Sequence, residues 1–452
     1  MLSRAANHEF GAELMPTWTS RLLGGLKTRV PIRGDFAQNV FRLFAANAAA
    51  QLLTFAAYPV LTRLYAPAQL GILSVVMFAM MILAPASTLR YEIALPLCRS
   101  DAEAGSVMTL CFLVVAITSA LITGVLLISP QSVLDAIGPT APYRMFLPLA
   151  LLAFGAFNVL SYEATRVGRY ADIAKTRVSQ ALLGPALQIA LGAASGGTVG
   201  LLTGFTIGQL GGTLGLSRRL IFTVPSIFTG VSLRSVIEAA KKYRRFPLFS
   251  SWAGILLTGS ASLGNIVFTT LYGAAIGGFL FLGDRVLMQP LRVSGNAFQQ
   301  VFVGEAGRLV ARSPAELPRL FLGVLWKQAA ISAVWLAGVY LSATLALPFI
   351  FGRSWGPASQ YIDVMLVGYF PAAVAIPVSH TLLLMGRQRL SAALDALRFG
   401  ALVTSIVIAR HVGAAPLEAV LFYSVTQGVA QCLILGVMYA RVRRLAAPSH
   451  SA

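Results

Sequence analysis

Residues 61–73 read LTRLYAPAQLGIL, and residues 268–280 read FTTLYGAAIGGFL. Six of the thirteen positions are identical at a constant offset of 207: Thr62/Thr269, Leu64/Leu271, Tyr65/Tyr272, Ala68/Ala275, Gly71/Gly278 and Leu73/Leu280. Ser87 and Ser294 keep the same offset. Each copy joins the end of one long apolar run to the start of the next. Such runs recur at roughly 40–62, 70–97, 104–129, 144–164, 177–194, 199–217, 247–271, 277–303, 321–351, 361–385, 391–410 and 416–440. A helix that crosses a bilayer needs about 20 residues, so each run is a candidate span. Six spans separate the two copies, an even number, so the halves share one orientation. The repeat therefore predicts an all-α polytopic membrane protein of about twelve transmembrane helices. They form two six-helix lobes related by a pseudo-two-fold axis along the membrane normal. Transporters built this way bind their substrates between the repeats.

The composition agrees. Hydrophobic residues make up 57% of the 452 positions and charged residues only 11%, against about 25% charged in a soluble domain. Too few charged side chains remain to cover a water-facing surface, which excludes a soluble enzyme and a disordered chain. The predicted organisation is a basic tail at 1–39, an N-lobe at 40–217, a basic linker at 218–246, a C-lobe at 247–440 and a second tail at 441–452. The linker is long enough for a short surface helix ending in Lys241, Lys242, Arg244 and Arg245. Residues 1–39 lack the apolar core and cleavage site of a signal peptide.

The formal net charge is +19, and its placement follows topology. With the N-terminus inside, the inner segments hold 25 lysines and arginines and the outer ones four: Arg63, Arg144, Arg353 and Arg410. This predicts that both termini are cytoplasmic. It also removes nucleic acid as a partner, because the cations serve topology and membrane lipid headgroups. Cys98, Cys111 and Cys432 have neither disulfide nor zinc spacing. No P-loop motif occurs. No metal site, cofactor or catalytic residue is expected.

Polar residues inside the spans point to a wet interior, since an unsatisfied polar group in hydrocarbon costs several kcal/mol. Arg285, Gln289, Arg292, Asn296 and Gln299 follow a 4-3-4-3 spacing and share one helix face. Arg285 and Arg292 lie about 10 Å apart along the axis, near the middle of their span. Asp284 is adjacent and is expected to neutralise Arg285 in part. Asn47, Gln51, Thr54 and Tyr58 form a second stripe. Ser251, Thr258, Ser262, Asn265 and Thr269 form a third. Arg90 and Glu92 fall near the inner end of the second span, about 200° apart on a helix. Such groups either bind a polar ligand or tie helices together. Arg42, Arg63 and Arg353 are expected to snorkel to headgroups. Asp395 and Arg398 read as a structural ion pair. Asp284, Glu92 and Asp363 are the candidate ion-coupling carboxylates. Gly200, Gly204, Gly208 and Gly212 form a small-residue stripe for close helix packing.

PVLTRLYAPAQLGIL at 59–73, STLRYEIALPL at 87–97, YRRFPLFSSWAGIL at 243–256 and GRQRL at 386–390, in that order and spacing, carry a resemblance. Over roughly residues 38–445 the chain resembles the polysaccharide-biosynthesis flippases, including the Wzx-type O-antigen flippases. These belong to the multidrug/oligosaccharidyl-lipid/polysaccharide exporter superfamily. The resemblance implies a two-lobed twelve-helix fold in a bacterial inner membrane. It implies transfer of an undecaprenyl-pyrophosphate-linked glycan from the inner to the outer leaflet, with polysaccharide polymerase and chain-length proteins as partners. It also implies that intramembrane arginines hold the anionic head: Arg90, Arg285 and Arg292, with Arg42 as a further candidate. Gln289, Asn296, Gln299, Asn47, Gln51 and Asn265 are then the candidate sugar contacts. The competing readings are a multidrug or metabolite exporter of the same superfamily and a non-transporting scaffold. A glycan polymerase or ligase is disfavoured, because every predicted outer loop is short.

Overall fold

The computed structural model describes residues 34–132, 138–221, 228 and 230–446. The tail at 1–33 and the side chain of Arg42 lie outside the described residues. About 90% of the described structure is helical, and it contains no strand. The long helices are α1 (Gly34–Leu64), α2 (Pro67–Ser87), α3 (Asp101–Ile128), α4 (Phe146–Arg166), α5 (Tyr170–Ala193) and α6 (Gly197–Ile221). After the basic linker come α7 (Ser251–Tyr272), α8 (Ala274–Arg312), α9 (Leu317–Phe351), α10 (Ala358–Ala375), α11 (Gln388–His411) and α12 (Pro416–Ala446). Among the described residues, eight segments are long and apolar enough to cross a membrane: α2, α3, α4, α6, α9, α10 with the turns that follow it, α11 and α12. The chain is a multi-pass membrane protein. Helices α1, α5, α7 and α8 are not among the eight, and polar residues of α1, α5 and α8 meet at the site described below.

The helices before the linker pack on one another, α1 on α5, α5 on α6, α6 on α4 and α4 on α3. Those after it do the same, α8 on α9 and α10, α12 on α10 and α11, and α7 on α11. Helix α2 crosses both α7 and α8 and joins the two sets. The repeat lies at this crossing, and its two copies meet reciprocally. A Cβ on Gly71 would run into the carbonyl of Ala274, and a Cβ on Gly278 would run into the carbonyl of Pro67. Pro67 and Ala274 are themselves 207 residues apart. Only glycine lets the backbones approach this closely. The repeated threonines also match, since Thr62 Oγ1 donates to Tyr58 O at 2.8 Å and Thr269 Oγ1 to Asn265 O at 2.6 Å.

Three apolar cores fill the molecule. The largest draws from both sets, with Tyr58, Leu70 and Leu201 from one and Phe281, Phe351 and Trp355 from the other. At the end that carries the basic loops the cores are separate. One holds Leu95, Phe157, Leu216 and Tyr243; the other holds Phe302, Phe321, Leu382 and Met438. The two sets thus share one core at one end and have separate cores at the basic end.

Two expected spans are interrupted. Helix α2 ends at Ser87; Leu89 and Arg90 then take left-handed conformations (φ 49° and 60°), and Tyr91–Leu97 forms a 3₁₀ helix. Arg90 and Glu92 therefore do not share a regular α-helix. Left-handed backbone costs about 1–2 kcal/mol per ordinary residue. Burial of Tyr91, Ala94 and Leu95 in the separate core offsets that cost. Helix α10 stops before a 3₁₀ turn at Ile376–Val378, where Pro377 supplies no backbone donor. Gln299 of α8 donates to Ile376 O at 3.0 Å and to Ser379 Oγ at 2.6 Å, holding the break. In the linker, Leu233–Lys242 forms a short helix capped by Ser232, with Val236 and Ala239 buried. Cys98 is buried beside this region, which pushes its thiol up to about 11 and keeps it protonated.

Candidate functional site

The small-residue stripe of α6 lies against α5. A Cβ on Gly204 would meet Gln188, one on Gly208 would meet Gly184, and one on Gly212 would meet Gln180. This close contact confirms the packing role read from the sequence. Gln180 and Gln188 lie at this contact, donating to Gln209 O and Leu201 O of α6, and together with Arg177 they also line a cavity beside α1. This chamber of about 280 Å³ has as polar lining Gln51, Thr54 and Tyr58 of α1, Arg177, Gln180 and Gln188 of α5, Gln209 of α6 and Gln289 of α8, with apolar walls from α2, α4 and α6. A vestibule of about 460 Å³ shares Asn47, Gln51 and Arg177 with it and adds Asn296, Gln299 and Gln300. These residues lie toward the starts of α1 and α5 and the far end of α8, so the tract runs toward the basic end.

Among the described residues, no carboxylate lines either space. Arg177 lines both and has no ion-pair partner; its guanidinium carbon stands 4.6 Å from the centre of the Phe157 ring. Arg285 does not line either space; it sits against the chamber residue Tyr58, 4.8 Å from the Phe281 ring centre and 5.9 Å from that of Tyr58. Aromatic faces favour a cation without neutralising it. Gln51 Oε1, Gln289 Oε1 and Arg285 Nε are buried without a hydrogen-bond partner. Native structures rarely leave such atoms unsatisfied, so these three offer hydrogen-bonding capacity to water or a polar ligand. In the sequence Arg177 is one of the 25 inner-segment cations, at the start of an apolar run. The 3-4-4 spacing of Arg177, Gln180, Gly184 and Gln188 was the signal of a polar face.

The α8 stripe divides. Asp284 does not pair with Arg285; it pairs with Arg292, Nη2 to Oδ1, at 3.2 Å. Arginine side chains on a helix lean toward its N-terminus, which brings Arg292 back along α8 to Asp284. Tyr369 donates to the same Asp284 oxygen at 3.4 Å. Asp284, Tyr369, Tyr423, Gln427 and Asn265 line a separate chamber of about 50 Å³. Asn265 is committed to helix contacts, donating to Gly277 O at 3.2 Å and accepting from Ser74 at 2.5 Å. Arg90 packs against Gly254 of α7, and Glu92 is buried near the second core; neither lines the chamber or vestibule. Asp363 lies on α10 and lines none of the three spaces. Asp395 and Arg398 do pair, at 3.4 Å.

The end opposite the basic loops is shut. Trp355, fully buried, donates its Nε1–H to Thr62 O at 2.8 Å. Arg63 donates to Phe349 O at 2.9 Å, so it ties α1 to α9 rather than only snorkelling. Each bond is worth about 1 kcal/mol net. Arg63→Gln combined with Trp355→Phe is expected to raise labelling of a cysteine placed at Leu61 from the shut side by about ten- to thirtyfold. Unchanged labelling would show that these bonds do not hold the closure.

The fold has known counterparts. An inward-facing multidrug resistance MATE family transporter of the MOP superfamily is 18% identical, with a TM-score of 0.68 over 88% of this chain and 96% of that one. An outward-facing MATE family transporter of the same superfamily, also 18% identical, has a TM-score of 0.58 over 90% and 96%. The lipid II flippase MurJ in an inward closed conformation is 11% identical, with a TM-score of 0.65 over 89% and 90%. At these identities the likeness is one of fold. No curated protein matches the chain. Residues 60–360 match the family described as polysaccharide biosynthesis protein, and they make up most of the sequence. On that match, the chain belongs to the polysaccharide biosynthesis protein family.

Proposed function

We propose that the protein is a flippase for undecaprenyl-pyrophosphate-linked oligosaccharide in a bacterial inner membrane, serving O-antigen, capsule or exopolysaccharide synthesis. The observation that carries this reading is the carboxylate-free chamber lined by Arg177, with Arg285 packed against its wall residue Tyr58. A sugar–pyrophosphate head cannot cross hydrocarbon, because each bare hydroxyl costs several kcal/mol. Arginine matches phosphate in charge and fork geometry. Asn47, Gln51, Gln289 and Asn296 replace water around the sugars. The twelve long helices act as two six-helix lobes about a pseudo-two-fold axis, with both termini cytoplasmic. The basic end, where the two cores are separate, is then read as an inward-facing state, in keeping with the higher TM-score to the inward-facing MATE transporter.

With the cell interior negative, moving two negative charges outward is favourable by about 4–5 kcal/mol at 100 mV. The small chamber at Asp284 is sized for an ion or water and is the candidate coupling site. Of the three candidate carboxylates, Asp284 is the one that lines this chamber, which supports it over Glu92 and Asp363. A drug-exporter reading would call for a carboxylate in the main chamber, and the one nearby is already paired with Arg292.

The test is flipping in liposomes. Purified protein is reconstituted with undecaprenyl-pyrophosphate-linked oligosaccharide, and access of the sugar to an impermeant lectin is followed. Acceleration by the protein, increased by an imposed potential, is the expected result. No acceleration across several glycans, together with efflux of organic cations, would replace the flippase by an exporter.

A further inference from the structure

At the basic end, most cations near an acidic neighbour are paired with it. Arg166 meets Glu163 and Asp101, Arg169 meets Asp172, Lys242 meets Glu103 and Arg308 meets Glu305. Three further arginines, on the C-terminal set, gather at one cavity. Arg387 follows the one-turn helix Thr381–Leu384, while Arg441 and Arg444 lie near the end of α12. They line one cavity of about 320 Å³, whose remaining walls are apolar: Val310, Leu384, Met385 and Leu445. Among the described residues none of the three takes part in an ion pair. The turn that presents Arg387 is fixed, with Gly386 at φ +69° and Arg387 N donating to Leu382 O at 2.8 Å.

A second observation leads away from the cavity along the outside of α12. Val425, Val429 and Leu433 are exposed apolar residues, 41%, 56% and 63%. Gly436, Ala440 and Arg444 continue the same face at helical spacing. Nothing lies within 4 Å of the position a Cβ would take on Gly436. A shallow groove therefore runs along the lipid-facing side of α12 and ends at Arg444.

We propose that this cavity binds the phosphate headgroup of an anionic membrane lipid, with an acyl chain lying in the Gly436–Ala440 groove. Three unpaired guanidinium groups suit a phosphodiester. The apolar walls and the groove suit a lipid rather than free phosphate. Basic pockets between helices at headgroup level are a recurring form of lipid recognition. The site is distinct from the chamber of Arg177 and Arg285, and it does not depend on what that chamber carries.

The test uses the full chain in neutral detergent, titrated with phosphatidylglycerol, phosphatidylcholine or inorganic phosphate, and read by native mass spectrometry and thermal unfolding. Wild type is compared with the triple variant Arg387→Gln/Arg441→Gln/Arg444→Gln. A control triple, Arg218→Gln/Arg244→Gln/Arg245→Gln, removes as much charge from the same end. Phosphatidylglycerol is expected to be retained and to raise the melting temperature of wild type and control, and to bind about ten- to a hundredfold more weakly to the first triple variant. Phosphatidylcholine and phosphate are expected to do neither. Gly436→Leu, facing open space, is expected to fold normally and to weaken phosphatidylglycerol retention. Equal retention by wild type and the first triple variant would overturn the site. Equal stabilisation by phosphate would overturn the lipid, and unchanged retention by Gly436→Leu would overturn the groove.

Discussion

Replacing Arg177 and Arg285 together with glutamine is expected to lower lipid-linked glycan flipping by at least about a hundredfold, without lowering the melting temperature. Hydrogen bonds to charged groups contribute about 1.5–3 kcal/mol each, and a tenfold change corresponds to about 1.4 kcal/mol. Two lost phosphate contacts therefore exceed a factor of one hundred, and each single variant loses about tenfold or more. Stability should move the other way. Neither guanidinium has an ion-pair partner among the described residues, and Arg285 Nε is buried without a hydrogen bond. Removing a poorly solvated, unpaired charge is neutral or stabilising. A purely structural arginine would show the reverse, with the melting temperature falling. Arg292→Gln is the informative comparison, because the charge of Arg292 is already taken up by Asp284. It should cost less flipping than either Arg177→Gln or Arg285→Gln. A double variant that flips at the wild-type rate would remove the anion site from this chamber.

Gly71→Ala and Gly278→Ala are each expected to destabilise the protein by about 1–3 kcal/mol, the usual cost of overpacking. The added methyl group would meet backbone rather than a side chain that can rotate away, Ala274 in one case and Pro67 in the other. Relief requires α2 and α8 to separate, and α2 is the helix that joins the two sets. Because the contacts are reciprocal, the two variants should lose similar stability. Gly124→Ala on α3, with nothing within 4 Å of the new methyl, is the control; it should be neutral or gain about 0.5–1 kcal/mol from helix propensity. The check is thermal unfolding in detergent with all three variants side by side. If Gly71→Ala behaves like Gly124→Ala, the close crossing is not what holds the sets together.

Much was legible before any coordinates. Charged residues at 11% left no choice but a membrane. Helical periodicity put Asn47, Gln51, Thr54 and Tyr58 on one face, and they line one chamber. The glycine stripe of α6 read as packing and packs on α5. The repeat at 61–73 and 268–280 was visible as letters, and it lies where the two copies touch. These readings succeed because the helical period is a local property: it decides which residues share a face, whatever surrounds them.

What faces that face is not local. Arg177 reads as one more basic residue at the edge of a span until the packing of α5 beside α1 makes it part of the chamber lining. Asp284 has Arg285 beside it in the chain, yet it pairs with Arg292, because neighbours in a helix point in different directions and residues further along can meet. Gln299 and Asn265 belong to polar stripes, but a broken α10 engages the first and the junction of α2, α7 and α8 engages the second. Arg90 left the expected helix because the packing of Tyr91 and Leu95 outweighed the cost of a left-handed turn. Sequence determined the membrane class, the helices and the composition of their faces. Tertiary structure alone decided which arginines keep an unpaired charge, since that depends on which carboxylates distant helices bring within reach.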